Sequence, residues 1–173
     1  MATPRVEDNR PGQHLLEELK WVHERIREDL RVCEDLARRA SEGLSPADVR
    51  AEISSLQTNS PLWKLRVNCL YYCRFVHSHH NAEDILLFPA IRASNADSAR
   101  VADKLEADHR SVSDRLDEVE AAADALVVDD AVDARARLVT ALGNLESDLL
   151  AHLDYEEEAL GPAILEWERW PLR

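Results

Sequence analysis

Residues 65–90 read LRVNCLYYCRFVHSHHNAEDILLFPA, and the apolar positions of this run recur at steps of three and four residues. That spacing is typical of the inward face of a helix in a bundle. The face consists of Leu65, Cys69, Tyr72, Val76, His79, Glu83, Leu86 and Ala90. It therefore places an imidazole and a carboxylate among apolar side chains. Phe88-Pro89 predicts a bend near the end of the run, because proline removes an intrahelical donor.

Three other stretches repeat this spacing, each with a histidine among apolar residues. Their stripes are Leu16, Leu19, His23, Ile26, Leu30, Cys33 and Ala37; Leu105, His109, Val112, Leu116, Val119, Ala123 and Leu126; and Leu138, Leu142, Leu145, Leu149, His152, Glu156 and Ala159. Turn-forming residues between the stretches predict long helices at 11–40, 61–93, 97–126 and 130–166. Gly161-Pro162 is expected to end or kink the last helix. We predict an all-α fold, an antiparallel four-helix bundle with one short extra helix at 46–56 between helices one and two.

Length and composition limit the class of protein. The 173 residues fit one domain, which we divide into an arm at 1–12, a bundle at 14–165 and a tail at 166–173. The formal charge of −13 would repel phosphate backbones and anionic lipids, so neither nucleic acid nor a membrane is an expected partner. Three cysteines without CxxC spacing suggest neither a disulfide framework nor a thiolate metal site. We expect a cytoplasmic protein, and the sequence leaves its oligomeric state open.

One level of the four stripes is polar. It comprises His23, His79, Glu83, His109, His152 and Glu156. An unpaired carboxylate in an apolar interior costs several kcal/mol, so two glutamates among four imidazoles need a compensating charge, which metal ions supply. The register supports a shared level, because residue 81 and His109 both lie about 14 residues from a turn centred near residue 95. A buried hydrogen-bonded polar network is the alternative.

The HxxxE spacing at 79/83 and 152/156 places imidazole and carboxylate one turn apart on the same face, about 6 Å along the axis. Carboxylate oxygen with imidazole nitrogen suits iron, manganese or zinc, whereas copper(I) and iron–sulfur sites would use cysteine. Two glutamates able to bridge indicate a pair of metals. Four histidines, two bridging carboxylates and a bridging oxygen leave about two of twelve coordination positions open for dioxygen, peroxide or nitric oxide.

The order His, HxxxE, His, HxxxE over four helices, with HHNAED at 79–84 running into Leu87-Phe88-Pro89, resembles the hemerythrin HHE cation-binding domain over residues 14–165. The resemblance implies two irons bridged by oxo or hydroxo, with manganese or zinc less favoured. The implied terminal ligands are His23, His79, His109 and His152, and the implied bridges are Glu83 and Glu156. Oxygen-carrying hemerythrins have a fifth histidine, usually on the third helix, where this chain has Ser113. That departure favours peroxide or nitric oxide chemistry, or a tyrosine ligand, over reversible oxygen carriage.

Other polar residues lie close to this level. Tyr72, seven residues before His79, is either a core residue with a satisfied hydroxyl, which we favour, or a hydrogen-bond donor or ligand at the site. His80 is off the stripe and is expected to be a solvated or helix-boundary histidine, although its spacing of three residues from Glu83 would let it replace His79. Glu157 is expected on the outer, solvated face of its helix.

The favoured function is a non-haem di-iron protein that binds and reacts with small oxidants, with catalase-like decomposition of hydrogen peroxide as its chemistry. One alternative is a module that senses dioxygen, nitric oxide or iron through a change in the stability of the bundle. The other is a di-iron oxygenase or oxidase acting on a small organic substrate. The HxxxE order disfavours this last function, because ferritin-like di-iron proteins place glutamate before histidine.

Overall fold

The structure, a computed structural model, describes residues 11–43, 61–126 and 131–168. Its elements are α1 (Pro11–Gly43), α2 (Pro61–Ala82), a π-helical turn (Glu83–Leu87), α3 (Phe88–Arg92), α4 (Ala96–Ala125) and α5 (Ala131–Leu165). These three ranges contain no strand, so the all-α prediction is confirmed for them. The predicted short helix at 46–56 lies outside the described residues. Within the described ranges, every helix is too short or too polar to cross a membrane.

The predicted stripes of α1, α4 and α5 form most of the core. Every residue of the α1 and α4 stripes is buried, and in α5 only Ala159 is half-buried. α1 packs against α2 and α5, and α4 packs against the same two helices. Burial of these apolar faces is the main stabilising contribution to such a helical bundle.

The apolar core has two parts. The larger cluster includes Ile26, Val76, Val112 and Leu149, whereas the smaller one includes Leu19, Phe88, Leu105 and Leu160. In each long helix the predicted polar residues lie where the chain passes from one cluster to the other. The polar level is therefore a layer enclosed by apolar side chains on both sides.

A π-helical turn at Glu83–Leu87 interrupts the second long helical segment. The N–H of Phe88 donates to the carbonyl oxygen of Glu83, five residues back, and the next residue, Pro89, has no N–H to donate. The wider turn shifts the buried face by one position, so Leu87 and Phe88 are buried while Leu86 is 51% exposed. The prediction that Leu86 belongs to the inward stripe is wrong for this reason.

The two ends of the described chain meet. The N–H of Gly12, in the first turn of α1, donates to the carbonyl oxygen of Trp167 at 3.2 Å. α5 continues through Pro162 to Leu165, so the helix does not end at Gly161-Pro162. The extra turn brings Ile164 and Trp167 into the smaller core cluster beside Leu16.

We expect one pH effect at a distance from the polar layer. Glu34 of α1 lies beside Glu146 of α5, and burial together with the neighbouring carboxylate raises the pKa of Glu34 to about 7. The folded state therefore holds this proton more tightly than the unfolded state, whose pKa is near 4.5. The resulting stabilisation is complete below pH 4.5 and is lost as the pH rises through 7.

Replacement by glutamine removes this titration. Thermal melts of Glu34→Gln and the parent chain at pH 5 and pH 8 should differ in their pH dependence by about 2 °C, with the parent losing more stability at pH 8. Glu158→Gln, at an exposed position of α5, is the matched control. Parallel curves for Glu34→Gln and the parent chain would contradict the assignment.

Candidate metal centre

The six predicted side chains converge in the layer between the two core clusters. His79 Nε2 lies 3.2 Å from Glu83 Oε1, and His109 Nε2 lies 3.5 Å from Glu83 Oε2. Glu156 Oε2 lies 3.4 Å from His23 Nε2 and 3.6 Å from His152 Nε2. The residues come from α1, α2, the π-helical turn, α4 and α5, so every long helical segment contributes at least one. The predicted common level of these residues is confirmed.

His80 also belongs to this layer, so the prediction that it is solvated is wrong. Its side chain is buried, and its ring stacks on His109 with the centroids 4.0 Å apart. The ring of His152 lies 5.1 Å away. His79 instead faces α1, where the ring of His23 is 5.2 Å from its own. Adjacent residues of α2 therefore reach different neighbouring helices.

The sequence contained a signal for His80 that the first stripe obscured. A second series with the same three-and-four spacing shares Cys69, Val76 and Glu83 with this stripe. Its other members are Cys73, His80 and Leu87, and every residue of the series is buried. The inward face of α2 is thus wide enough to include both series. The π-helical turn then brings Leu87 onto the buried face in place of Leu86.

The ligand atoms form overlapping groups, in each of which the atoms lie within 4.8 Å of one another. The groups are His23, His79 and Glu83; His80, His109 and His152; and Glu83, His109 and Glu156. Glu83 reaches two of these groups with different oxygens, since Oε1 faces His79 and Oε2 faces His109. The groups are therefore contiguous, and Glu83 belongs to two of them.

The atoms that point into this layer are buried and lack hydrogen-bond partners within the described part of the chain. They include Nε2 of all five histidines and both carboxylate oxygens of Glu83 and Glu156. Each buried polar atom left unpaired costs about 1–3 kcal/mol, so such a concentration needs a ligand. Nitrogen and oxygen donors facing one space suit a first-row metal such as iron. The residues present therefore fit metal ions.

Four of the five histidines are held in the neutral form that binds metal. Burial, reinforced by neighbouring imidazoles, lowers the pKa of His79 and His109 to about 3. The same two causes lower the pKa of His80. Burial also lowers the pKa of His152.

The pKa values of His23 and Glu83 are both raised, unlike those of the other four histidines, and the two side chains face each other. Burial acts to lower the pKa of His23, but the carboxylates of Glu156 and Glu83 outweigh it and raise the pKa to about 9. Burial, reinforced by Glu156, raises the pKa of Glu83. Without a cation, the layer thus balances its charge with protons. Metal ions would displace those protons on binding.

Carboxylates hold the outer ring nitrogen of two histidines. His23 Nδ1 lies 2.9 Å from Glu157 Oε1, and His109 Nδ1 lies 2.9 Å from Asp84 Oδ1. Glu157 is half-buried and also accepts a hydrogen bond from Arg27, so the prediction that it is solvated is wrong. Asp84 has no role that the helix stripes predict. One feature of the sequence points to both carboxylates: Asp84 and Glu157 each directly follow a predicted glutamate ligand.

Tyr72 is fully buried, as expected for a core residue, but its hydroxyl has no hydrogen-bond partner in the described ranges. Burial raises its pKa, followed by the neighbouring Cys33 and Cys73. Helical side chains slant toward the N-terminus, which directs Tyr72 away from His79, seven residues further along the helix. A role for Tyr72 at the metal layer stays a prediction.

An open groove between α1 and α2 reaches the layer from outside. It has a volume of about 490 Å³, and its lining includes Trp21, Tyr71, Phe75 and His79. Trp21 and Tyr71 are mostly exposed, whereas the side chain of His79 is 9% exposed. The groove gives His79 more contact with solvent than the other predicted ligands have.

The helical packing and the buried histidine–glutamate layer define a helical metal-binding domain. The family model for the hemerythrin HHE cation binding domain matches residues 14–164, and the chain belongs to this family. Membership implies that it binds metal, typically iron. Comparisons with curated proteins and with solved structures gave no significant match.

Proposed function

We propose that this chain is a non-haem di-iron protein that binds and reacts with small oxidants, and that it decomposes hydrogen peroxide. The observation that carries the proposal is the convergence of five imidazoles and two glutamates whose inward atoms are buried and unpaired in the described ranges. The closed ring of contacts among the long helices supports an antiparallel four-helix bundle as the scaffold. We treat the chain as one such domain.

The overlapping groups of ligand atoms support two ions rather than one. His23 and His79 would hold one ion, and His80, His109 and His152 would hold the other. Glu83 and Glu156 lie between these groups and would be shared by both. Such a pair of irons supplies redox chemistry toward dioxygen, peroxide or nitric oxide.

His80 changes the number of positions left for an external molecule. It supplies the fifth imidazole that the third long helix lacks at Ser113. With five histidines and two shared carboxylates, fewer positions stay open than a count of four histidines predicts. Buried apolar side chains flank the layer on both sides. The site therefore suits a molecule of a few atoms better than a large organic substrate.

The decisive test is metal content combined with reactivity. Protein loaded anaerobically with ferrous iron should hold two irons per chain, absorb in the near ultraviolet after oxidation, and release oxygen from hydrogen peroxide. Glu83→Ala is the control that should lose bound iron and oxygen release together, because Glu83 contacts both groups of histidines. Two bound irons without oxygen release would remove the peroxide chemistry, and one zinc per chain would overturn the di-iron assignment.

A sensing function is a second candidate, which one observation favours. The ligands come from all the long helical segments, so metal occupancy is coupled directly to the packing of those segments. A partner could read such a change in stability. This candidate requires that the fold differs measurably in stability with and without metal.

A further inference from the structure

Three pairs of consecutive residues combine a predicted ligand with a carboxylate that lies beside the layer. The pairs are Glu83-Asp84, Asp108-His109 and Glu156-Glu157. Consecutive residues of a helix point about 100° apart, so one member can face the layer while the other faces a neighbouring helix. Asp84 lies against His109, Glu157 against His23, and Asp108 against His152. Each carboxylate thus contacts a histidine from another helix.

Two of these contacts are hydrogen bonds. The distance from Nδ1 to the carboxylate oxygen is 2.9 Å for His23 with Glu157 and for His109 with Asp84. The corresponding distance for His152 and Asp108 is 3.9 Å, which is too long. An ionised carboxylate can only accept, so the proton must be on Nδ1 of His23 and His109. When each ring is neutral, its Nε2 then carries the free lone pair.

The freed nitrogens are the ones directed at the proposed metal positions. Nε2 of both histidines is buried and has no hydrogen-bond partner among the described residues. His23 belongs to the group with His79, whereas His109 stacks on His80 in the other group. Each group therefore contains one histidine whose ring is fixed from outside.

The carboxylate behind His23 is itself held in place. Arg27 donates to Glu157 Oε1 at 2.9 Å and to Asp154 Oδ1 at 2.7 Å. The side chains of Arg27 and Glu157 are 14% and 22% exposed, so their contact is largely screened from water, whereas Asp154 is exposed. The arrangement extends from Arg27 through Glu157 to His23, and it links α1 to α5.

We propose that Asp84 and Glu157 are positioning residues, which fix the Nδ1-protonated form of His109 and His23 and direct their Nε2 atoms at the two metal positions. The inference rests on the proposed di-iron function and adds residues that do not themselves bind metal. Hydrogen bonds from ligand imidazoles to carboxylates orient the ring and make it a stronger donor. Asp84 thus acts on the group that contains His80, and Glu157 acts on the group that contains His79.

The test compares Asp84→Ala, Asp84→Asn, Glu157→Ala and Glu157→Gln with the parent chain, each loaded with ferrous iron. Competition with a chelator should show one of the two irons held about 10–100-fold more weakly in each alanine variant. The amide variants should recover part of the loss, because the amide oxygen can still accept from Nδ1–H. The midpoint potential of the iron should rise in the alanine variants, because weaker donation stabilises the ferric form less. Glu158→Ala, an exposed neighbour with the same charge change, is the matched control.

The outcomes separate this inference from the proposed function. If the parent chain binds two irons and the alanine variants match Glu158→Ala in affinity and potential, the positioning role is wrong while the di-iron function stands. If the amide variants lose as much as the alanine variants, the hydrogen bond is not the cause and the inference also fails. A parent chain that binds no iron would overturn both. Melting of the metal-free variants separates misfolding from loss of positioning.

Discussion

Removal of bound metal with a chelator is expected to lower the melting temperature by about 10 °C. The buried layer holds five imidazoles and two glutamates whose inward atoms are unpaired in the described structure. Ions that bind only the folded chain stabilise it by about 4 kcal/mol when present at 1,000 times their dissociation constant. For a chain of this size, about 2–4 °C accompanies each kcal/mol. Thermal melts with and without chelator, followed by circular dichroism, measure the shift.

The control for metal removal is Glu83→Ala, which should melt at the same temperature with and without chelator. Glu83 lies within 4 Å of His23, His79 and His109, so its loss affects both proposed positions. If chelation removes the metal from the parent chain without changing its melting temperature, then protons stabilise the layer as well as metal ions do. The sensing function would then have no mechanism, while the redox function would remain testable by oxygen release.

The sequence predicts the level of the site along the helices better than it predicts which residues form the site. His23 and His109 belong to stripes in which all the residues are buried. Their helices are uninterrupted, and an uninterrupted α-helix keeps its periodicity over many turns. The second long segment breaks that regularity at Glu83–Leu87. Stripe counting through it consequently selected Leu86 in place of Leu87. Of the two adjacent histidines before the turn, it assigned only His79 to the interior.

Asp84 and Glu157 show a second limit of sequence-based inference. Periodicity gives the face of a helix on which a residue lies, but it does not say which neighbouring side chain meets that face. Glu157 is one position beyond the inward stripe and would be solvated on an isolated helix. It is half-buried because Arg27 and His23 of α1 pack against it. Only the arrangement of helices in space supplies that information.

Gly12→Ala is expected to destabilise the fold by about 2 kcal/mol, or about 6 °C in melting temperature. A methyl group on Gly12 would overlap the carbonyl oxygen of Ile164 and lie 3.1 Å from that of Trp167. These atoms are backbone, which cannot rotate aside as a side chain can. The start of α1 would have to move away from the end of α5, which would lengthen the Gly12 N–H to Trp167 hydrogen bond. Thermal melts with metal loading held constant measure the loss.

Gly143→Ala is the matched control, and it should change stability in the opposite direction. Gly143 lies inside α5 with no atom within 4 Å of an added Cβ, so alanine meets open space there. Replacing an exposed helical glycine by alanine gains about 0.5–1 kcal/mol, because alanine loses less backbone entropy on folding. If Gly12→Ala also stabilised the chain, the close approach of α1 to the end of α5 would be wrong. The smaller core cluster would then also be wrong in part, because it includes Leu16 of α1 and Ile164 of α5.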